Sequence, residues 1–328
     1  MTALKKKLKQ VPGLMWGCLL IVVIFAFVVP DFTRQRNIIN ILNNTSILLL
    51  VSCGMTMAIL SQQIDMSIGG VMSFSAMMSG MYINQFQNPT TFDILCTFLI
   101  GIAVGLAFGL FNGLMIGKFR YNFWLVTFAT MNIGYGAAQV TTEGSVISGF
   151  GKAFRNITGS DLFKIPSLIF ICAAVVAIFI FLTYRTRFGM HIYAIGDSEN
   201  CAAQSGIHVE RTRIALYTLS GLLAGIGGVL LISKTNSASP IVANGYEFQA
   251  IAAVIVGGTS FEGGKGGIIG TIVGTIIIGS ITNGLELFGV SNYWEQVFTG
   301  IFILVIILID VINVKRKKGK MLKRVYKT

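Results

Sequence analysis

Long apolar runs separated by short polar segments constrain this chain more than any other feature. They lie at 12–29, 38–60, 66–83, 92–117, 121–142, 165–184, 214–235, 248–260, 268–288 and 294–312. About 20 apolar residues wound as a helix match the hydrocarbon thickness of a bilayer, and backbone groups in lipid must be satisfied inside the segment. The expected fold is therefore an all-α integral membrane bundle of ten spans. The run 248–260 is short for a crossing and has glycine-rich ends, so it reads as a tilted, broken or partly embedded helix. Composition agrees: 12% of residues are charged, against about 25% in a soluble domain.

Charge orients the bundle. If the amino terminus is inside, the inner segments hold nineteen of the 25 lysines and arginines and the outer ones six. The asymmetry predicts both termini in the cytoplasm. Lys5, Lys6, Lys7 and Lys9 precede the first run, which shows no small-residue cleavage pattern and is expected to be a retained span rather than a signal peptide. The expected organisation is one transmembrane domain over 1–328: a basic start (1–11), the bundle (12–312) and a basic tail (313–328). The net charge of +12 flanks apolar runs, which points to lipid headgroups and topology, not to nucleic acid. Cys18, Cys53, Cys96 and Cys172 fall inside apolar runs, Cys201 lies outside them, and no CxxC spacing occurs. With both histidines, His191 and His208, in one polar segment, no metal site is expected.

That segment, 185–213, carries Arg185, Arg187, Arg211 and Arg213 at its ends. Its middle predicts a short helix opened by Asp197 or Ser198 as N-cap and stopped by Gly206. Such a helix would lie on the inner membrane face, open to a soluble partner; the plainer alternative is a solvated loop whose arginines only set topology. Gly101, Gly105, Gly109, Gly113 and Gly117 recur every fourth residue and form a groove that lets a second helix backbone approach. Gly257–Gly267 lacks the Gly-Lys-Ser/Thr order of a phosphate loop, as does Gly149–Lys152, so nucleotide hydrolysis would belong to another polypeptide. Asp65 stands between two runs, either as N-cap of the next helix, accepting from the amides of Ser67 or Ile68, or as a pathway residue. Among the polar side chains on apolar runs, Asn43, Asn44, Thr45, Ser46, Asn132, Tyr135, Asn283 and Glu286 are the pathway candidates, suited to a hydroxylated solute or to interhelical hydrogen bonding. Asn112-Gly113-Leu114 echoes Asn283-Gly284-Leu285, and five spans per half would invert the second copy.

Three blocks carry a resemblance. TRFGMHIYAIGDSENCAAQSGI (186–207), SQQIDMSIGG (61–70) and AIAAVIVGGTSFEGGKGGIIGT (250–271), the last followed by NGLELFGVSNYW (283–294), resemble the ribose-type sugar permeases, membrane subunits of bacterial ATP-binding-cassette importers. The likeness runs in order from about Ile38 to Asp310. It implies a non-catalytic permease of the bacterial cytoplasmic membrane, paired with a second permease subunit, identical or different. Two ATPase subunits would bind ATP and Mg and grip the helix at Asp197–Gly206, with Arg187, Gly189, Asp197, Glu199, Ala202, Ala203 and Gly206 as coupling residues. An extracellular solute-binding protein would dock on 143–164 and 236–247. The implied solute is a monosaccharide such as ribose, with autoinducer-2, a polyol or a nucleoside as alternatives. This chain departs from the pattern at Gln62 and Gln63, where the family favours glycine, and at Glu199-Asn200-Cys201, where it shows a Glu-Ala-Ala-like triplet. An ion-coupled secondary transporter would need intramembrane acids, and apart from Asp65 and Glu286 the acids lie only toward run ends, as Glu295 and Asp310 do. A membrane scaffold that moves no solute is the third reading.

Overall fold

The computed structural model describes residues 13–290 and, beyond them, helical positions 294, 297, 300, 301, 304, 305 and 308. The basic start, the basic tail and most of the tenth apolar run lie outside the described residues. In chain order the helices are α1 Gly13–Val28, α2 Gln35–Leu60, α3 Ile68–Ile83, α4 Thr91–Gly113 with a π-helical turn Leu114–Lys118, α5 Phe123–Val140, α6 Lys152–Gly159, α7 Ser167–Arg185, α8 Arg187–Asp197, α9 Glu199–Gln204, α10 Val209–Thr235, α11 Tyr246–Val256 and α12 Ile268–Leu287. Among the described residues α2, α4 with its π turn, α7, α10 and α12 are long and apolar enough to cross a membrane; α1, α3 and α11 are shorter apolar helices.

Local chemistry sets the ends. Thr90 and Asp93 form a reciprocal capping box at the start of α4, the Thr90 amide donating to Asp93 Oδ2 at 2.8 Å. Asn122 caps α5, Thr186 caps α8 and Ser198 caps α9. Gly206, at φ +82°, closes α9 with its amide on Ala203 O and the Ile207 amide on Ala202 O.

The centre is formed by α2, α3, α10 and α11, whose side chains are buried on most sides. Outward faces of the surrounding helices carry exposed apolar groups, among them Leu20 and Phe27 on α1, Leu95 and Leu99 on α4, and Ile178 and Phe181 on α7. Such a surface suits lipid. The glycine groove of α4 lies directly on α10. A Cβ at Gly105 would strike Gly221 O, one at Gly109 Tyr217 O, one at Gly113 Ile214 O and one at Gly117 Glu210 O, while Gly101 meets Val229 and Gly225. The partner positions step back along α10 as the glycines advance, so the two helices run antiparallel at backbone contact. Gly270 and Gly274 seat α12 on α11 in the same way, against Gly257 O and Ala253 O.

Two apolar runs differ from simple spans. α3 has 16 residues and α11 only 11, about 24 and 16 Å of helix. Each is preceded by a non-helical link, 61–67 and 236–245, and the two helix starts meet: a Cβ on Gly69 of α3 would strike the Glu247 carboxylate of α11 and Ala243 O of its link. Glu247, assigned from sequence to an outer loop, lies inside α11 and is 1% exposed. The links survive at depth because side chains satisfy their backbone: the Tyr217 hydroxyl donates to Ile64 O at 3.4 Å, and the Ala243 amide donates to Ser73 Oγ at 3.2 Å.

At the end of the bundle away from α8 and α9, β1 Ile147–Ser148 pairs antiparallel with β4 Ser237–Ala238. A hairpin of β2 Asp161–Leu162 and β3 Ile165–Pro166 turns through Phe163 and Lys164, both at positive φ. The first pairing joins the segments 143–164 and 236–247 into one surface.

Candidate functional site

The polar segment 185–213 is more structured than its sequence suggests. Besides the expected short helix it contains α8, which is amphipathic and buries Gly189, Ile192, Ile195 and Gly196. Gly189 sits against the Thr183 carbonyl, and Gly196 against Leu60 O and the Gly264 amide, approaches that leave no room for a Cβ. Three elements are tied at Gly196. Gln62 Nε2 donates to Gly196 O at 2.9 Å and to Glu262 O at 2.7 Å, and the Gly264 amide donates to Leu60 O at 2.9 Å. Tyr193 of α8 donates to Gly266 O at 2.8 Å; burial, with the Tyr184 hydroxyl beside it, holds its phenol well above the usual pKa. α8 is thus bonded both to the link that leads into α3 and to the turn that follows α11.

α9 stands off from this junction. Ser198 Oγ accepts from the Cys201 amide at 3.3 Å, Ala202 is buried, and Asp197, Glu199, Ala203 and Gly206 are exposed. Glu199 holds Arg213 of α10 through two hydrogen bonds, 2.6 and 3.1 Å. Arg187 is exposed at the start of α8. The exposed surface of α9 is therefore short, polar and braced from below.

Deeper in, Asp65 is 1% exposed. Its Oδ1 accepts from the Ser67 amide (3.0 Å) and hydroxyl (2.5 Å), and its Oδ2 from Ser220 of α10 at 2.6 Å. Asn112 of α4 donates to Ser67 Oγ at 3.0 Å, while its own Oδ1 is buried without a partner among the described residues. The Tyr217 hydroxyl donates to Gln63 Oε1 at 3.3 Å. Asp65 both closes its own turn and pins the link to two long helices. On the other side of the same helix start, Tyr135 of α5 donates to Ala243 O at 3.2 Å and to Glu247 Oε2 at 3.4 Å.

The remaining pathway candidates do not converge on one channel within the chain. Thr45 and Ser46 bond to carbonyls of their own turn. Asn132 bonds to Phe128 O on an exposed face of α5. Asn283 accepts from Asn37 Nδ2 at 2.8 Å, joining α12 to α2. Asn43 and Asn44 gather instead around Lys234, which donates to Asn44 Oδ1 at 2.8 Å and Asn43 O at 3.4 Å; Glu286 is exposed near the same end. Sequence reasoning missed Gln62, Ser220, Lys234 and Glu247 as site residues. For Glu247 the signal was available: it directly adjoins an apolar run too short to span.

Residues 37–307 match the family described as branched-chain amino acid transport system / permease component. The ribose import permease protein of Bacillus subtilis (strain 168) is 37% identical over 299 residues, covering 90% of this chain and 90% of that protein. The ribose import permease protein of Escherichia coli (strain K12) is 33% identical over 302 residues, covering 89% and 91%. The galactose/methyl galactoside import permease protein of the same strain is 32% identical over 337 residues, covering 97% and 100%. No solved structure matches.

Proposed function

Because the chain belongs to the branched-chain amino acid transport system / permease component family, we propose that it is the permease subunit of a bacterial sugar importer that moves a monosaccharide across the cytoplasmic membrane. Its similarity to ribose and galactose import permeases over about nine-tenths or more of their length supports that solute class. Transport is driven by a separate ATPase that grips α9, and a solute-binding protein delivers the sugar to the opposite face, where the β1–β4 pairing unites the two outer segments. The bundle forms one transmembrane domain of ten spans with both termini in the cytoplasm. Its halves are inverted repeats: α2, link, α3, α4 corresponds to α10, link, α11, α12. The packing of α4 on α10 and of α12 on α2 supports that correspondence. A second permease subunit completes the pathway against α5, whose exposed Asn132, Gly136 and Gln139 are unsuited to lipid.

The observation that carries this reading is the junction at Gly196. A push on α9 reaches α8, and from α8 passes through Gln62 into the link before α3 and through Glu262 and Gly264 into the turn after α11. Both half-helices then shift together, and their meeting point at Gly69 and Glu247 opens or closes. Reconstitution with an ATPase and a binding protein encoded beside it tests the idea: ATP-dependent accumulation of one sugar is expected, and ATP hydrolysis without any accumulation refutes it.

Burial of Glu247 favours one second reading, an ion-coupled carrier, since a carboxylate at that depth is a familiar coupling group. Vesicles distinguish the two. Uptake driven by a proton or sodium gradient in the absence of ATP selects the carrier.

A further inference from the structure

A cavity of about 380 Å³ opens on the face away from α8 and α9, between α2, α6, the end of α10 and the link that follows it. Lys152 and Arg155 of α6, Lys234 of α10, and Asn43, Asn156 and Asn236 line it. The wall is fixed. Phe154 anchors α6 at 0% exposure, Thr158 Oγ1 and Ser233 Oγ lie 3.0 Å apart, and Ser233 donates to Phe154 O at 2.8 Å.

Two features point to a ligand. First, three cations line it without an ion pair: among the described residues none of Lys152, Arg155 and Lys234 forms one, and Glu286, the acid that acts on Lys234, stands outside ion-pair distance. A lysine held near membrane depth by amide oxygens, with its acid beyond direct contact, suits an anion. Second, the amide side chains of Asn43, Asn156 and Asn236 line the same cavity. Amides offer both donors and acceptors, so the group that meets them carries hydroxyls. A phosphatidylglycerol headgroup, an anionic phosphodiester bearing two hydroxyls, is the competing ligand.

We propose that this cavity binds a small hydroxylated anion, of the sugar-acid or sugar-phosphate class, with its carboxylate or phosphate on Lys234 and Arg155 and its hydroxyls on Asn43 and Asn236. The volume lies within the range of small-molecule sites, and fits a pentose- or hexose-sized solute. The proposal extends the reading of the chain as a sugar permease by naming a ligand its neutral-sugar relatives do not announce, but it is tested by binding alone. Failure of uptake and failure of this site are therefore separate results.

The full chain in zwitterionic-lipid nanodiscs is titrated with gluconate, sorbitol and acetate by calorimetry. Gluconate is expected to bind at least roughly tenfold more tightly than sorbitol, which lacks the charge, or acetate, which lacks the hydroxyls. Arg155→Gln, at an exposed side chain without hydrogen bonds, and Lys234→Gln, which keeps a donor for Asn44, are each expected to weaken gluconate roughly tenfold, and added salt to weaken it further. The proposal is overturned if gluconate does not bind, if sorbitol or acetate matches it, or if both variants bind it as the parent does. Loss of gluconate binding when phosphatidylglycerol replaces the zwitterionic lipid assigns the cavity to lipid phosphate and equally overturns it.

Discussion

Gln62 holds a left-handed backbone, φ +60°, at the position just past α2 where the Gln62 amide bonds Ile59 O and the Gln63 amide bonds Ala58 O. Glycine is the natural occupant of that position, and the strain of a side chain there is about 1 kcal/mol. Here the side chain bonds two carbonyls in return. Gln62→Gly relieves the strain and loses both bonds, so thermal unfolding in detergent is expected to shift by less than about 1 kcal/mol. Gln62→Glu keeps the strain and sets a carboxylate against Gly196 O and Glu262 O. It is expected to cost about 2 kcal/mol or more and to cut sugar transported per ATP several-fold; equal stability of the two variants would remove Gln62 from the junction. Asp65 makes the complementary case, since three donors converge on it. Asp65→Ala strands the hydroxyls of Ser67 and Ser220 and is expected to cost about 3 kcal/mol, with Asp65→Asn recovering at least half, both read from unfolding midpoints.

Among elements, the α4–α10 contact depends on the absence of side chains rather than their presence. Lipid provides no hydrophobic drive, so the helices associate by backbone proximity that glycine alone permits. Gly105→Leu drives a side chain into the Gly221 carbonyl and is expected to destabilise the protein by about 1–3 kcal/mol. Gly17→Leu on α1, where a Cβ meets nothing within 4 Å, is expected to change stability by less than about 0.5 kcal/mol. Similar losses for the two would mean that the α4–α10 contact is not the seam that holds the bundle. The central steps Gly105, Gly109 and Gly113 meet only backbone atoms of α10, which suits sliding.

For the whole molecule the decisive question is which face carries α9. Cys18, Cys53 and Cys172 are buried and Cys96 partly so, whereas Cys201 on α9 is exposed. The wild-type chain thus has a built-in reporter. A membrane-impermeant maleimide is expected to modify Cys201 in inside-out vesicles and to leave it intact in sealed cells, with Cys201→Ser removing the signal. Labelling from outside would deny an ATPase any hold on α9.

Local rules were legible in the sequence: apolar runs of membrane length, glycine every fourth residue, Ser198 before and Gly206 after a short helix. Each depends on residues close in the chain, and the structure places the glycine groove and the short helix as those rules require. The length of 248–260 already marks it as a short or broken helix; tertiary contact alone decided that 66–83 is likewise entered through an irregular link and that both links persist, because a link persists at depth only if distant groups satisfy its backbone. Those groups, Tyr217 on Ile64 O, Ser73 on the Ala243 amide and the Gly264 amide on Leu60 O, lie about 150 to 200 residues away in other elements. The same holds for Glu247, whose burial follows from Gly69 and Tyr135, and for Gln62, which reaches Gly196 and Glu262 across the fold. Periodicity encodes which face is apolar; which polar atom answers which is fixed only when the helices meet.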